Sequence, residues 1–169
     1  MPSRINRTDR VVDLRELRGE LNYEEFEHKD KFVFLCNLIP DVDRERLLIE
    51  DEDPNYINKK GLVYLFVFNR KLIKVGSTIT TFKDRVTSYN CGRRQYRENG
   101  TCSTTNYFVL QTLLRWNRPI QIYAYFPPEI EIDVFGEKEL MPSPTKVIEK
   151  RILTELNEDG VLPIFCTQR

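Results

Sequence analysis

Gly61-Leu62-Val63-Tyr64-Leu65-Phe66-Val67-Phe68-Asn69-Arg70-Lys71-Leu72-Ile73-Lys74-Val75-Gly76 is the stretch on which the fold turns. Residues 62–68 form a short, unbroken run of apolar, aromatic and β-branched side chains, the pattern of a buried strand. Asn69-Arg70 makes a turn, and residues 71–75 return as a second strand. Strands joined this tightly predict a β-hairpin.

Downstream of the hairpin, Phe82, Arg85, Val86 and Tyr89 recur at spacings of three and four, which predicts a helix over residues 81–89. Residues 91–101 are polar, basic and punctuated by glycine, and are expected to form a loop or extended arm. Ser103-Thr104-Thr105 suits the capped start of a helix that runs to about Trp116 and carries Phe108, Leu110, Leu113 and Leu114. Residues 120–126 alternate as a third strand stopped by Pro127-Pro128, and residues 130–135 suit a further strand or hairpin arm. Ser143-Pro144 offers an N-cap followed by proline at the first helical position of a last helix, which runs to about Asn157 before a stop at Gly160.

Upstream, Asn22 before Tyr23-Glu24-Glu25-Phe26 has the look of a capped helix start. Phe26, Phe32, Leu35 and Leu38 then supply a helical apolar face that ends before Pro40, residues 45–48 suit a second short helix, and residues 50–58 an acidic loop. The first dozen residues are a polar arm. The order predicts an α+β fold, a small central mixed or antiparallel sheet with flanking helices. Residues 1–60 are expected to be an N-terminal arm and helical extension, and residues 61–169 the core, with an insertion at about 91–105.

A hydrophobic share of 40% and a charged share of 31% belong to an ordinary soluble domain. No run of about eighteen apolar residues is present to span a membrane, and the polar start MPSRINRTDR lacks the apolar centre of a signal peptide. Four scattered cysteines without a C-x-x-C pair argue against structural zinc and fit reduced thiols in a cytoplasm. Net charge is zero, yet it is unevenly placed. Residues 1–60 hold 11 Lys/Arg against 15 Asp/Glu, residues 61–119 hold 10 against 2, and residues 120–169 hold 5 against 9. A basic middle between acidic flanks can attract phosphates while the total stays neutral.

Val63-Tyr64, then nine residues, then Lys74-Val75-Gly76, followed by Arg85-Val86 and Ser88-Tyr89, resembles the signature of the GIY-YIG nucleases. Leu62-Val63-Tyr64 stands for the first triplet and Lys74-Val75-Gly76 for the second, with Lys74 in place of the second tyrosine. Arg85 and Tyr89 fit the helix motif, and Glu149 fits the acidic metal ligand on the last helix. The resemblance covers roughly residues 61–157, with Asn157 a loose counterpart of a late asparagine. Tyr89-Asn90-Cys91-Gly92 and residues 100–108 look like the small homodimeric type II restriction enzymes.

The resemblance implies a metal-dependent DNA endonuclease in a prokaryotic cytoplasm. Phosphodiester hydrolysis needs an activated water, compensation of charge on the phosphoryl oxygens and help for the departing 3′-oxygen. Glu149 would hold one Mg²⁺ per active site, replaceable by Mn²⁺, because a hard cation prefers oxygen and retains waters. Tyr64 is the candidate general base, Lys74 the charge that favours its anion and contacts phosphate, Arg85 a planar fork for the scissile phosphate, and Tyr89 a positioning or relay hydroxyl one turn on. Ser77 follows Gly76 where relatives carry His or Lys, and Ser77 and Thr78 are expected at phosphate or ordered water.

Arg93, Arg94, Tyr96 and Arg97 interleave cations with an aromatic, and with Ser103 and Thr104 are expected to contact DNA. Arg4, Arg7 and Arg10 suit an arm around DNA. The implied partners are double-stranded DNA with a short palindromic site and a second copy of the chain, with no membrane. Residues 13–50 and 108–116 are the candidate dimer surfaces. Taken singly, Tyr64 reads as a core tyrosine, Lys74 as an edge lysine and Glu149 as a solvated helix carboxylate; their order and spacing together carry the nuclease reading. A catalytically inactive DNA-binding module and a repair or mobile-element nuclease of the same family are the alternatives.

Overall fold

A computed structural model of the chain describes residues 11–166. At its centre lies the expected hairpin: β3 (Leu62–Phe68) and β4 (Lys71–Thr78), joined through Asn69 and Arg70, which both adopt left-handed backbone angles, φ 47° and 66°. All seven residues of β3 are buried. The reason is coverage on both faces. Tyr64, Phe66 and Phe68 pack with Phe82, Val86 and Tyr89 of α1 (Phe82–Asn90) and with Phe108 and Leu113 of α3 (Thr104–Trp116), while Val63, Leu65 and Val67 pack with Ile152, Leu153 and Leu156 of α4 (Thr145–Glu158). Each such side chain contributes about 1.5–3 kcal/mol on burial, so β3 anchors both layers.

The sheet has five antiparallel strands, in the order β2 (Arg46–Glu50), β1 (Val33–Asp41), β5 (Ile120–Tyr125), β3 and β4. Its outer half corrects the N-terminal expectation. Residues 33–50 are not helical: they form β1 (Val33–Asp41) and β2 (Arg46–Glu50), and β1 pairs with β5 (Ile120–Tyr125) in the middle of the sheet. Among the described residues before β1 the chain makes only short 3-10 turns, Leu14–Gly19, Tyr23–Glu25 and Lys29–Lys31. The helical extension expected over residues 1–60 is therefore a pair of strands belonging to the same sheet as the residues after 61. Pro40 is tolerated in β1 because the pairing with β5 ends at Leu38, so it lies where the strand has a partner on one side only.

Thr81 caps α1 through a reciprocal capping box with Asp84, and the helix end is pinned to β2 by Asn90, which accepts from Leu47 N (2.7 Å) and donates to Leu47 O (3.1 Å). Residues 91–101 are not wholly loop, since Arg94–Glu98 form a short helix, α2. Ser103 caps α3 as expected, accepting from Asn106 N at 3.2 Å. The α3 surface proposed for dimer contact is spent inside the core: Phe108, Leu110, Leu113, Leu114 and Trp116 are all buried. At α4 the cap differs from expectation, with Pro144 at the N-cap and the Ser143 hydroxyl donating to Pro127 O instead. Between β5 and α4, β6 (Ile130–Val134) and β7 (Glu137–Met141) form a separate hairpin whose tip residue, Phe135, is fully exposed. Among the described residues no helix is long and apolar enough to cross a membrane. Arg4, Arg7 and Arg10 lie outside the described residues.

Candidate active site

Tyr64, at the centre of β3, faces Gly76 across the hairpin. A Cβ at residue 76 would collide with the Tyr64 ring and hydroxyl, so only glycine leaves the ring its place. The α1 helix brings Arg85 and Tyr89 onto one face, one turn apart, and both reach the same phenol. Arg85 Nε donates to the Tyr64 oxygen at 3.0 Å, and the Tyr64 and Tyr89 hydroxyls lie 2.6 Å apart. The Arg85 guanidinium also sits over the Tyr89 ring, 4.4 Å from its centre. Three residues from two elements are thus one hydrogen-bonded unit.

Two members of that unit, Tyr64 and Arg85, line a cleft of about 570 Å³, with Tyr89 buried behind them. Tyr64, Lys74, Ser77, Arg85, Ser103 and Glu149 all line it. Glu149 arrives from the opposite sheet face on α4, and contact is possible because β4 is the edge strand. The Ser77 hydroxyl donates to Glu149 Oε2, and Lys146 Nζ, from the first turn of α4, reaches the same oxygen at 3.0 Å. Ser77, expected at phosphate or ordered water, here bonds to the carboxylate. Lys74 is 6% exposed and makes no hydrogen bond or ion pair with the described residues.

Electrostatics set the state of the phenol. Burial pushes Tyr64 well above the ordinary tyrosine value, and the Tyr89 hydroxyl adds to this; Lys74 and Arg85 pull the other way without prevailing. Burial also raises Tyr89, against the pull of Arg85. The charge expected from Lys74 has the predicted sign, yet in the free protein Tyr64 is a neutral phenol.

The other DNA-contact candidates lie around this centre rather than in it. Thr78 bonds to the Thr80 hydroxyl (2.9 Å), and Arg97 Nη1 donates to Thr104 Oγ1 (3.3 Å) at the start of α3. Arg94 donates its backbone N–H to Glu45 and lines a different cavity. Arg93 keeps its Nε buried without a hydrogen-bond partner, and Tyr96 is exposed on α2. Asn157 is exposed near the end of α4. Sequence reading missed Ser88, Thr105, Asn106 and Lys146, which also line the cleft. A signal existed for two of them: Ser88 is three residues from Arg85 and Lys146 three from Glu149, each pair on one helical face.

No cluster of three or more His, Cys, Asp or Glu side chains converges among the described residues. A structural zinc site, which needs four protein ligands, does not fit. A lone carboxylate beside a polar, open cleft does fit Mg²⁺, which keeps several waters and is held by one or two carboxylates together with substrate phosphate.

No family model matches the chain, and no curated protein does. Among solved structures, restriction endonuclease HPY188I in complex with product DNA is 41% identical, with 100% of this chain and 98% of that chain covered and a TM-score of 0.77. A mutant of bacteriophage T4 EndoII is 16% identical, with 85% of this chain and 98% of that chain covered and a TM-score of 0.62, a likeness of fold.

Proposed function

We propose a function from one premise: this chain belongs to the restriction endonuclease family of HPY188I. It is a DNA nuclease. We read it as a type II enzyme of the GIY-YIG kind that cuts both strands of duplex DNA at a short palindromic site, acting in the cytoplasm as a homodimer with Mg²⁺. The observation that supports this reading best is the Tyr64–Arg85–Tyr89 hydrogen-bonded unit, whose Tyr64 and Arg85 line a cleft together with Lys74 and Glu149.

In this mechanism Tyr64 takes the proton of the attacking water. Its anion is favoured by Arg85, whose Nε donates to its oxygen, and by the Lys74 charge, against burial and the Tyr89 hydroxyl. Arg85, already oriented by Tyr64 and Tyr89, presents its remaining N–H groups to phosphate oxygens. Glu149 would hold Mg²⁺ through its carboxylate, kept in place by Ser77 and Lys146. When bound, the cation supplies charge stabilisation at the phosphoryl and departing 3′-oxygens. Burial of the tyrosine pair excludes bulk water from the base and strengthens these short-range charges.

The test is incubation with long duplex DNA and Mg²⁺, with EDTA as control. Discrete, metal-dependent fragments are expected. Tyr64→Phe should slow cutting by about 10²–10⁴-fold, the usual worth of a general base, and Arg85→Ala and Glu149→Ala should reduce it to background. All three variants should still fold and bind DNA. Binding without cutting by the wild type would support the inactive DNA-binding module, and wild-type cutting by any variant would remove that residue from the mechanism.

A further inference from the structure

We infer that the N-terminus of α3, together with Lys74, forms a second phosphate site, which holds a DNA phosphodiester other than the one cut and sets the register of the strand over Tyr64. This rests on the nuclease reading above and extends it to the start of α3, which the reaction chemistry leaves unused, with Lys74 as the cation the two sites share.

The first turn of an α-helix carries backbone N–H groups with no intrahelical acceptor. In α3 one of them, Asn106 N, is taken by the Ser103 hydroxyl oxygen. The Thr104 and Thr105 amides have no acceptor among the described residues, and no acidic side chain stands in that turn. Ser103, Thr105 and Asn106 line the catalytic cleft, so this end of the helix opens toward the site. Such an end attracts phosphate through directed N–H groups and the helix dipole.

Lys74 is the independent observation. It is 6% exposed, lines the same cleft, and has neither a carboxylate nor a carbonyl partner among the described residues. Its stem is packed away while its ammonium opens on the cleft, where an anion can reach it. Glu149, the one acidic residue lining the cleft among the described residues, already carries Ser77 and Lys146 on its Oε2. Arg97, which donates to Thr104 Oγ1, adds positive charge beside the helix start. The unpaired cation and the unpaired amides therefore ask for the same chemical class of ligand, a phosphate, and a DNA strand running to Arg85 supplies one on the neighbouring nucleotides.

The test uses Thr105→Asp in the full chain. An acid in the first turn suits the helix dipole, so the melting temperature should be unchanged or higher, while the same charge repels phosphate. Affinity for duplex DNA, measured with EDTA so that cutting plays no part, should fall about tenfold, and the dependence of log K on log salt should lose about one phosphate contact. Thr105→Asn, which is close in size and neutral, should bind as the wild type does. Unchanged affinity and salt slope in Thr105→Asp would overturn the inference and leave the nuclease reading intact. A wild type that binds no DNA would overturn the nuclease reading, and titration with inorganic phosphate then decides the site alone: saturable NMR shifts at the Thr104 and Thr105 amides support an anion site for free phosphate, and their absence overturns it.

Discussion

Tyr64 is held between opposing influences: burial favours its neutral form, and Lys74 and Arg85 favour its anion. Burial prevails, so the phenol stays protonated well above the ordinary value of about 10. If the anion is the base, the active fraction rises about tenfold for each pH unit while pH stays below that value. Single-turnover cutting at saturating Mg²⁺ should therefore rise with a slope of about one between pH 6 and 9 and reach no plateau there. Tyr64→Phe should leave a residual rate without that slope. A plateau below pH 8 in the wild type would assign the titrating base to another group. Arg85 and Tyr89 were legible as a pair because a four-residue step on a helix fixes a shared face, and Tyr64 joined them only through the resemblance to the GIY-YIG signature. The bond from Ser77 to Glu149 was not legible, because it joins residues 72 positions apart across the sheet edge.

At the scale of elements, the β3–β4 hairpin both builds the core and sets the site, and Gly76 is where the two roles meet. Alanine there would drive its Cβ into the Tyr64 ring while fitting the strand backbone otherwise. We expect Gly76→Ala to cost about 1–3 kcal/mol of stability as overpacking and to depress cutting at least about a hundredfold by displacing the base. Thermal melting and cleavage rate measured together check this, and a stable variant cutting at the wild-type rate would show that the ring position is not critical. The hairpin could be read from sequence because burial on both faces leaves a continuous apolar run. β1 could not. A bulge between Phe34 and Cys36 breaks its alternation and buries Leu35 and Cys36 in succession, so Phe32, Leu35 and Leu38 fall at the three-residue spacing that imitates a helix. α2 was missed because five residues without a side-chain cap give no periodic signal.

Across the whole molecule, charge is sorted between the parts. The basic middle of the sequence folds into the hairpin, α1, α2 and α3 around the cleft, whereas the β6–β7 hairpin carries Glu131, Asp133, Glu137 and Glu139 against Lys138. Phosphate is drawn to the first and repelled by the second. Among the described residues one such cleft is present, in the proposed mechanism Glu149 is its carboxylate for a metal, and the two strands of a duplex run in opposite directions. A break in both strands at one site then asks for two chains related by a two-fold axis, each cutting one strand. Sedimentation at micromolar concentration should show a dimer. Mixing the wild type with an excess of Glu149→Ala should place one active and one inactive cleft on most sites, so that a supercoiled plasmid accumulates as nicked circles. If a single chain instead made both cuts in turn, the excess variant would slow the reaction by competition without changing the ratio of nicked to linear product. That ratio, followed on a gel as the variant is added, separates a dimer with divided labour from a monomer that turns around on its site.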